Sequence, residues 1–70
     1  MPLIIAPLNV ILTVIKILLD EKTKKHLESL GITIDSKLTI LESNGGSVIV
    51  AVKDGRLALD SDIATKILVR

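Results

Sequence analysis

The single histidine and the aspartates are the side chains of this sequence best suited to metal binding. His26 is the only histidine, and Lys22 and Lys25 lie close to it in the chain and would repel a cation. A complete zinc site uses about three or four ligands, and His26 has no companions at a suitable spacing. Asp60 and Asp62 could contact a hard cation weakly, but a place at a predicted helix start already explains them as capping residues. We therefore predict no metal-binding residues and no resident cofactor.

The sequence contains no recognisable set of catalytic residues. The serines have no recognisable arrangement with a histidine base, and His26 among lysines is a poor general base. There is no cysteine to act as a nucleophile, form a disulfide or hold a metal as a thiolate. The phosphate-binding patterns G-x-x-x-x-G-K-S/T and G-x-G-x-x-G are both absent. We predict that the protein is not an enzyme and has no catalytic residues.

Positive charge is concentrated in one short stretch, which suggests a docking surface. Lys22, Lys24 and Lys25, with His26 beside them, could face an acidic partner surface or anionic lipid headgroups. The plainer interpretation is a solvated helix face supported by pairs such as Glu21 with Lys25. Both interpretations stay open at this point.

A second basic pair flanks a predicted hairpin turn. Lys53 and Arg56 could protect an exposed strand edge there, and an arginine donated to a partner's nucleotide site is a further hypothesis. The candidate partner-binding residues are therefore Lys22, Lys24, Lys25, Lys53 and Arg56.

Nucleic-acid binding is the main competing function from another class. Nine basic against eight acidic residues give a net charge of +1, which offers no overall attraction to a polyanion. Proteins that bind single strands usually stack bases on aromatic rings, and this chain has no Phe, Trp or Tyr. We predict no nucleic-acid partner.

Length and composition limit the chain to a single domain over residues 1–70 with an aliphatic core. Apolar residues make up 49% of the chain, which is more than so small a domain can easily hide. We therefore expect an exposed apolar patch, and such patches often mark partner surfaces. The absence of cysteine fits a reducing cytoplasm.

The element around which the fold is predicted to form is a hairpin over residues 48–59. Alternating valines fill its first strand, Asp54-Gly55 is predicted to form a type I′ turn, and Leu57 and Leu59 continue the buried face. The pattern predicts further strands over 10–17, 37–43 and 68–69, a helix over 20–30 capped by Asp20 and ended by Gly31, and a helical turn that starts at Asp60.

The helix and the N-terminal segment carry two further expectations. Thr23, Leu27 and Leu30 would form a stripe that lies on the sheet. The apolar segment 3–19 is interrupted by Pro7 and lacks a basic start, so an extended lead-in is favoured over a membrane-spanning helix or a signal peptide. The element order predicts a mainly β, α+β fold: a small barrel or tightly curled sheet of about five strands, with one inserted helix and a short C-terminal helical turn.

Three blocks of the sequence, taken in their order and spacing, resemble the FeoA family, the small ferrous iron transport protein A. The most telling is Leu27-Glu28-Ser29-Leu30-Gly31, and the others are Ala6-Pro7-Leu8 and Gly55-Arg56-Leu57-Ala58-Leu59-Asp60. The resemblance covers nearly the whole chain. It implies an SH3-like barrel that serves as a non-catalytic cytoplasmic accessory protein of ferrous iron uptake, docking on the membrane transporter FeoB and modulating it.

The resemblance is also compatible with a second function. A similar domain ends the DtxR-type metal-dependent repressors, so a detached metal-regulator-type domain that binds a peptide segment or a divalent metal is the second interpretation. Weak binding of Fe²⁺ or another divalent ion stays open, as does association into a homo-oligomer. No segment that spans the membrane is expected.

Two departures from the family pattern concern turns. Ile34 and Asp35 stand where the family usually has Pro-Gly, and Asn9 stands where glycine is common. Asp and Asn tolerate positive φ better than most residues, so we expect both turns to form with positive φ at Asp35 and Asn9.

Overall fold

Five antiparallel strands and two helices make up the computed structural model, which describes all of residues 1–70. The elements are a 3-10 turn (Leu3–Ile5), β1 (Ile11–Ile17), α1 (Glu21–Ser29), β2 (Lys37–Ser43), β3 (Ser47–Val52), β4 (Gly55–Asp60), α2 (Ser61–Thr65) and β5 (Ile67–Val69). The strands form one sheet in the order β4-β3-β2-β1-β5. This architecture confirms the predicted fold class, with α1 inserted between the first two strands.

The β3–β4 hairpin has the predicted buried face but a different turn. Its loop is Lys53-Asp54, because Val52 pairs with Gly55. Neither loop residue has a positive φ, so the predicted type I′ turn at Asp54-Gly55 is wrong. Moving the turn by one residue along the chain shifts the pairing register by two. A shift of two leaves every side chain on its original face, which is why the predicted buried face survives.

The first residues fold back on the last strand rather than running as a simple extended lead-in. A 3-10 turn places Leu3 fully inside the core, which corrects the sequence-based expectation. The N-terminal amino group of Met1 donates to the Val69 carbonyl at 2.8 Å, and the Val69 N–H donates to the Met1 carbonyl at 2.7 Å. Pro2 pairs with Leu68 as an isolated bridge. None of the helices has the length and apolar character needed to cross a membrane.

Every one of the 15 buried residues is apolar. They are Leu3, Ala6, Leu12, Val14, Ile17, Leu27, Ile32, Leu38, Ile40, Val48, Val50, Leu59, Ala64, Ile67 and Val69. Alternation along the strands predicts most of them. Leu3, Ala6 and Ile32 are exceptions, because they lie outside the strands and α-helices; the sequence assigns Ile32 to a turn, and the structure buries it completely. No polar or charged side chain is buried, so nothing inside the molecule competes with simple aliphatic packing.

Helix α1 begins and ends where its capping residues predict. The Thr23 N–H donates to the Asp20 carboxylate at 3.3 Å, and Gly31 follows the helix with a φ of 99°. Leu27 is 2% exposed and anchors the helix, whereas Leu30 is 36% exposed. The prediction that Leu30 lies on the sheet is therefore wrong. Leu30 is the C-cap, with a φ of −96° and a ψ of 0°, so its side chain no longer follows the helical stripe.

The two turns that depart from the family pattern form as expected. Asn9 has a φ of 59° and Asp35 a φ of 71°, and no other non-glycine residue has a positive φ. The Asp35 N–H donates to the Val14 carbonyl at 2.8 Å, which ties this turn to β1. The polar side chains thus hold left-handed positions that glycine would occupy with less strain.

Truncation of the two leucines of α1 should give unequal effects. We expect Leu27→Ala to lower the free energy of unfolding by about 2–5 kcal/mol, because it leaves a cavity in the core. Leu30→Ala should lower it by less than about 1 kcal/mol, because that side chain is already partly in water. Urea denaturation measures both, and an unchanged midpoint for Leu27→Ala would remove α1 from the core.

Replacement of Asp35 by glycine tests the left-handed turn. Asp35→Gly should raise the free energy of unfolding by up to about 1 kcal/mol, since glycine meets no steric penalty at positive φ. The matched control is Ile34→Gly, which should lower stability because Ile34 has no positive φ to relieve. Thermal and urea unfolding provide the measurement, and a clear loss of stability in Asp35→Gly would contradict the turn.

Candidate functional site

The lysines of α1 do not form a uniformly basic face. Lys22 and Lys25 are exposed. The side chain of Lys24 is 39% exposed, and its Nζ lies 3.5 Å from Oε1 of Glu21. The sequence predicted Glu21 to pair with Lys25, so this ion pair corrects the partner from i+4 to i+3. One of the three predicted docking lysines thus already has a partner within its own helix.

A shallow groove of about 160 Å³ runs beside α1. Its lining residues are Ile17, Glu21, Lys24, Lys25, Glu28, Thr33 and Ile34. Two ammonium groups and two carboxylates share this groove, so their fields largely cancel for an approaching ion. The remaining attraction would be screened over roughly 8 Å at physiological salt. The basic docking surface suggested by the sequence is therefore electrostatically weak.

The two basic residues of the β3–β4 hairpin lie away from the lysines of α1. Arg56 lines a second groove of about 220 Å³, together with Ser29, Leu30, Val52, Asp54, Gly55 and Leu57. Lys53 sits in the exposed loop and lines neither groove. The structure therefore divides the five candidate residues between two grooves and two exposed positions rather than bringing them together.

The side chains considered for metal binding are also dispersed. His26 is exposed in the last turn of α1, where its carbonyl accepts a hydrogen bond from the Ser29 hydroxyl at 2.6 Å. The Asp60 carboxylate accepts from the Ile63 N–H at 3.1 Å and so caps α2. Nowhere do three or more His, Asp or Glu side chains converge as a ligand set would.

Exposed aliphatic side chains gather where the chain enters β1 and near the end of β2. We refer to Ile5, Leu8, Val10, Ile11 and Leu41 as the apolar patch. Ile5 is 70% exposed and Ile11 73%, and the other three are between 36% and 47% exposed. The sequence predicted that such a patch exists and suggested Leu41 as a member, and the structure supplies the other four residues.

Backbone hydrogen bonds hold most of this patch together. The Asn9 N–H donates to the Ile40 carbonyl at 2.9 Å, so the patch residues on either side of Asn9 lie beside Leu41. Ile11 pairs with Thr39 across the two strands, two residues from Leu41. The β2–β3 ladder shifts register between Ile40 and Glu42, which places Leu41 at an irregularity of the strand. Backbone pairing between the start of β1, the residues just before it and β2 therefore brings Leu8, Val10 and Ile11 close to Leu41.

Comparisons with known proteins agree with this architecture. A family model described as FeoA domain matches residues 1–70. Among solved structures, the chain is similar to the crystal structure of an iron uptake regulatory protein (FeoA) solved by sulfur SAD in a monoclinic space group. The sequence identity is 28%, the TM-score is 0.89, and the match covers 100% of this chain and 95% of that chain. A search of curated proteins found no match. The structural similarity confirms a small SH3-like fold.

The Asp20 carboxylate, which caps α1, has a pKa that its capping hydrogen bonds lower. Hydrogen bonds from Thr23, first from its side chain and then from its backbone, hold the pKa of the Asp20 carboxyl below its ordinary value. A carboxyl with a lowered pKa in the folded state contributes stability above its unfolded pKa. That contribution is lost as the pH falls through the folded pKa.

Asp20 variants should show this dependence directly. We expect Asp20→Ala to be less stable than the wild type at pH 7, and the difference to shrink as the pH falls below about 4. Asp20→Asn is the matched control, because asparagine caps a helix without titrating. Urea unfolding between pH 3 and pH 7 gives the profiles, and an identical acid dependence in the wild type and Asp20→Asn would exclude the effect.

Proposed function

The chain belongs to the FeoA domain family, and from that premise we propose that it is a non-catalytic accessory protein that docks on the membrane transporter FeoB from the cytoplasm. Family membership implies a role in ferrous iron transport. Docking on the transporter and modulation of its activity are the more specific part of the proposal. The apolar patch is the observation that supports this part.

The apolar patch has the properties of a surface built for contact with another protein. Five aliphatic side chains lie exposed before and at the start of β1 and near the end of β2, in a molecule whose buried residues are already all apolar. Burial of apolar surface contributes roughly 25 cal/mol per Å², so even a modest contact over these side chains would offset part of the entropy lost on association. Ile5 and Ile11 are the most exposed and are the natural anchors.

The lysines of α1 have a secondary role in this proposal. Lys22 and Lys25 extend into solvent without an ion pair and can steer the protein toward an acidic surface. Such exposed charges affect the rate of encounter and its salt dependence more than the lifetime of the complex. The exposed Lys53 and Arg56 of the β3–β4 hairpin are further partner-binding candidates in this proposal.

The proposed mechanism needs no chemistry from this chain. A protein that binds one conformation of a transporter better than another shifts the equilibrium between them by its difference in affinity. The apolar patch supplies affinity, the α1 lysines speed the encounter, and we assign no residue to the ferrous ion. Iron enters the mechanism only as the cargo of the transporter.

Capture of the cognate FeoB by immobilised protein tests the patch. We expect Ile5→Glu and Ile11→Glu each to reduce capture by about tenfold or more, because each places a charge in an apolar contact. Ile15→Glu is the matched control, since Ile15 is 40% exposed on β1 but lies outside the patch, and it should bind as the wild type does.

A second comparison separates the apolar and the basic contributions. Replacement of Lys22, Lys24 and Lys25 by glutamate should slow association at low salt and change little at high salt. If this variant binds as the wild type does at every salt concentration, the α1 lysines have no role in docking. That result would leave the role of the apolar patch unchanged. A wild type that captures no FeoB at any salt concentration would refute the docking proposal.

A further inference from the structure

The two outer edges of the sheet differ in how they are covered. The outer side of β5 pairs with Met1 and Pro2, which close that edge. Strand β4 is the other edge, and β3 is its only strand partner. One edge of the sheet is therefore left open.

The register shows which backbone groups point away from β3. Val52 and Gly55 close the hairpin as a hydrogen-bonded pair, and such pairs alternate along an antiparallel ladder. Leu57 therefore directs its N–H and C=O toward β3, whereas Arg56 and Ala58 direct theirs outward. No turn, loop or cap hydrogen bond involves the backbone of Arg56 or Ala58.

Two of the features that usually prevent pairing, a bulge and a proline, are absent from this edge. The β1–β5 and β2–β3 ladders both contain register shifts, but the β3–β4 ladder is regular over all six pairs from Ser47–Asp60 to Val52–Gly55. There is no proline in β4 and no bulge to turn the strand away. The charges on its exposed face are Arg56 at one end and Asp60 at the other.

We propose that β4 is a self-association edge, at which a second copy of this chain adds its own β4 in antiparallel orientation with Ala58 opposite Ala58. In this register Arg56 of each copy lies opposite Asp60 of the other, so opposite charges meet at both ends of the contact. The outward N–H and C=O groups of Ala58 in the two copies satisfy one another. The Asp60 N–H groups reach the Arg56 carbonyls.

The side chains around the edge are compatible with this arrangement. The Asp60 carboxylate caps α2 through one oxygen, Oδ1, which leaves the second free to accept from an arginine. On the core side, Leu57 of one copy lies opposite Leu59 of the other. Leu57 is half-buried and Leu30 is 36% exposed beside it in the second groove, so an added strand would cover both.

Symmetry limits the assembly to two copies. Each chain has one open edge, and an isologous contact uses the same edge on both partners, so no edge remains for a third copy. The apolar patch lies at β1 and β2, while pairing occurs at β4. This inference therefore goes beyond the proposed function, and self-association can be measured without any transporter.

Sedimentation and a single introduced cysteine test the proposal together. We expect the wild type to dimerise with rising concentration, and Arg56→Glu to weaken the dimer by about tenfold or more, because glutamate would face Asp60 twice. Lys53→Glu is the matched control: it makes the same charge change in the adjacent loop and should leave the dimer unchanged.

The absence of native cysteine makes the cross-linking measurement unambiguous. Ala58→Cys should form a disulfide-linked dimer much faster than Lys53→Cys, since the paired Cα atoms would lie roughly 5.5 Å apart, within disulfide range. A wild type that stays monomeric at millimolar concentration overturns the proposal. Equal weakening by Arg56→Glu and Lys53→Glu, or equal cross-linking rates of the two cysteine variants, also overturns it.

Discussion

The structure depends on an interior made only of aliphatic side chains. With no aromatic ring to fill space and no polar side chain inside, the core is held by close packing of branched residues from all five strands and α1. Such packing is sensitive to shape, because a void left by one missing side chain is not readily filled by its neighbours. Every charged group must consequently lie at the surface, where water screens it.

This constraint also governs where the ionisable groups and the surplus apolar side chains lie. Perturbed ionisable groups, which catalysis and tight metal binding usually need, arise from burial or close charge clusters. The Asp20 carboxyl has a lowered pKa, and the hydrogen bonds of a helix cap account for it. The apolar material that the small core cannot hold appears instead on the outside, and five of the ten exposed large apolar residues lie in the apolar patch.

The edges of the sheet show a second consequence of small size. The chain has enough length to cover one edge with its own N-terminus, through the hydrogen bonds between Met1 and Val69. Within residues 1–70, β4 pairs with β3 on one side and with no strand on the other. An open edge with a regular ladder carries unsatisfied backbone groups that water or another strand must satisfy.

The sequence by itself determined the features that rest on local physical chemistry. Alternation fixed the buried faces of the strands, the carboxylates of Asp20 and Asp60 fixed the helix starts, and the tolerance of Asn9 and Asp35 for positive φ fixed two turns. Each of these depends on neighbours a few residues away. The similarity of whole blocks to a known family added the barrel topology and the link to ferrous iron transport.

Only the tertiary structure decided the features that depend on distant parts of the chain. Leu30 is exposed and Ile32 buried because the chain changes direction after α1, a change that hydrophobic spacing does not encode. The hairpin turn lies one residue earlier than its Asp-Gly signal, since pairing along the entire β3–β4 ladder outweighs the preference of one dipeptide. The location of the apolar patch and of the open edge follows from strand order, and strand order is set by contacts between residues far apart in sequence.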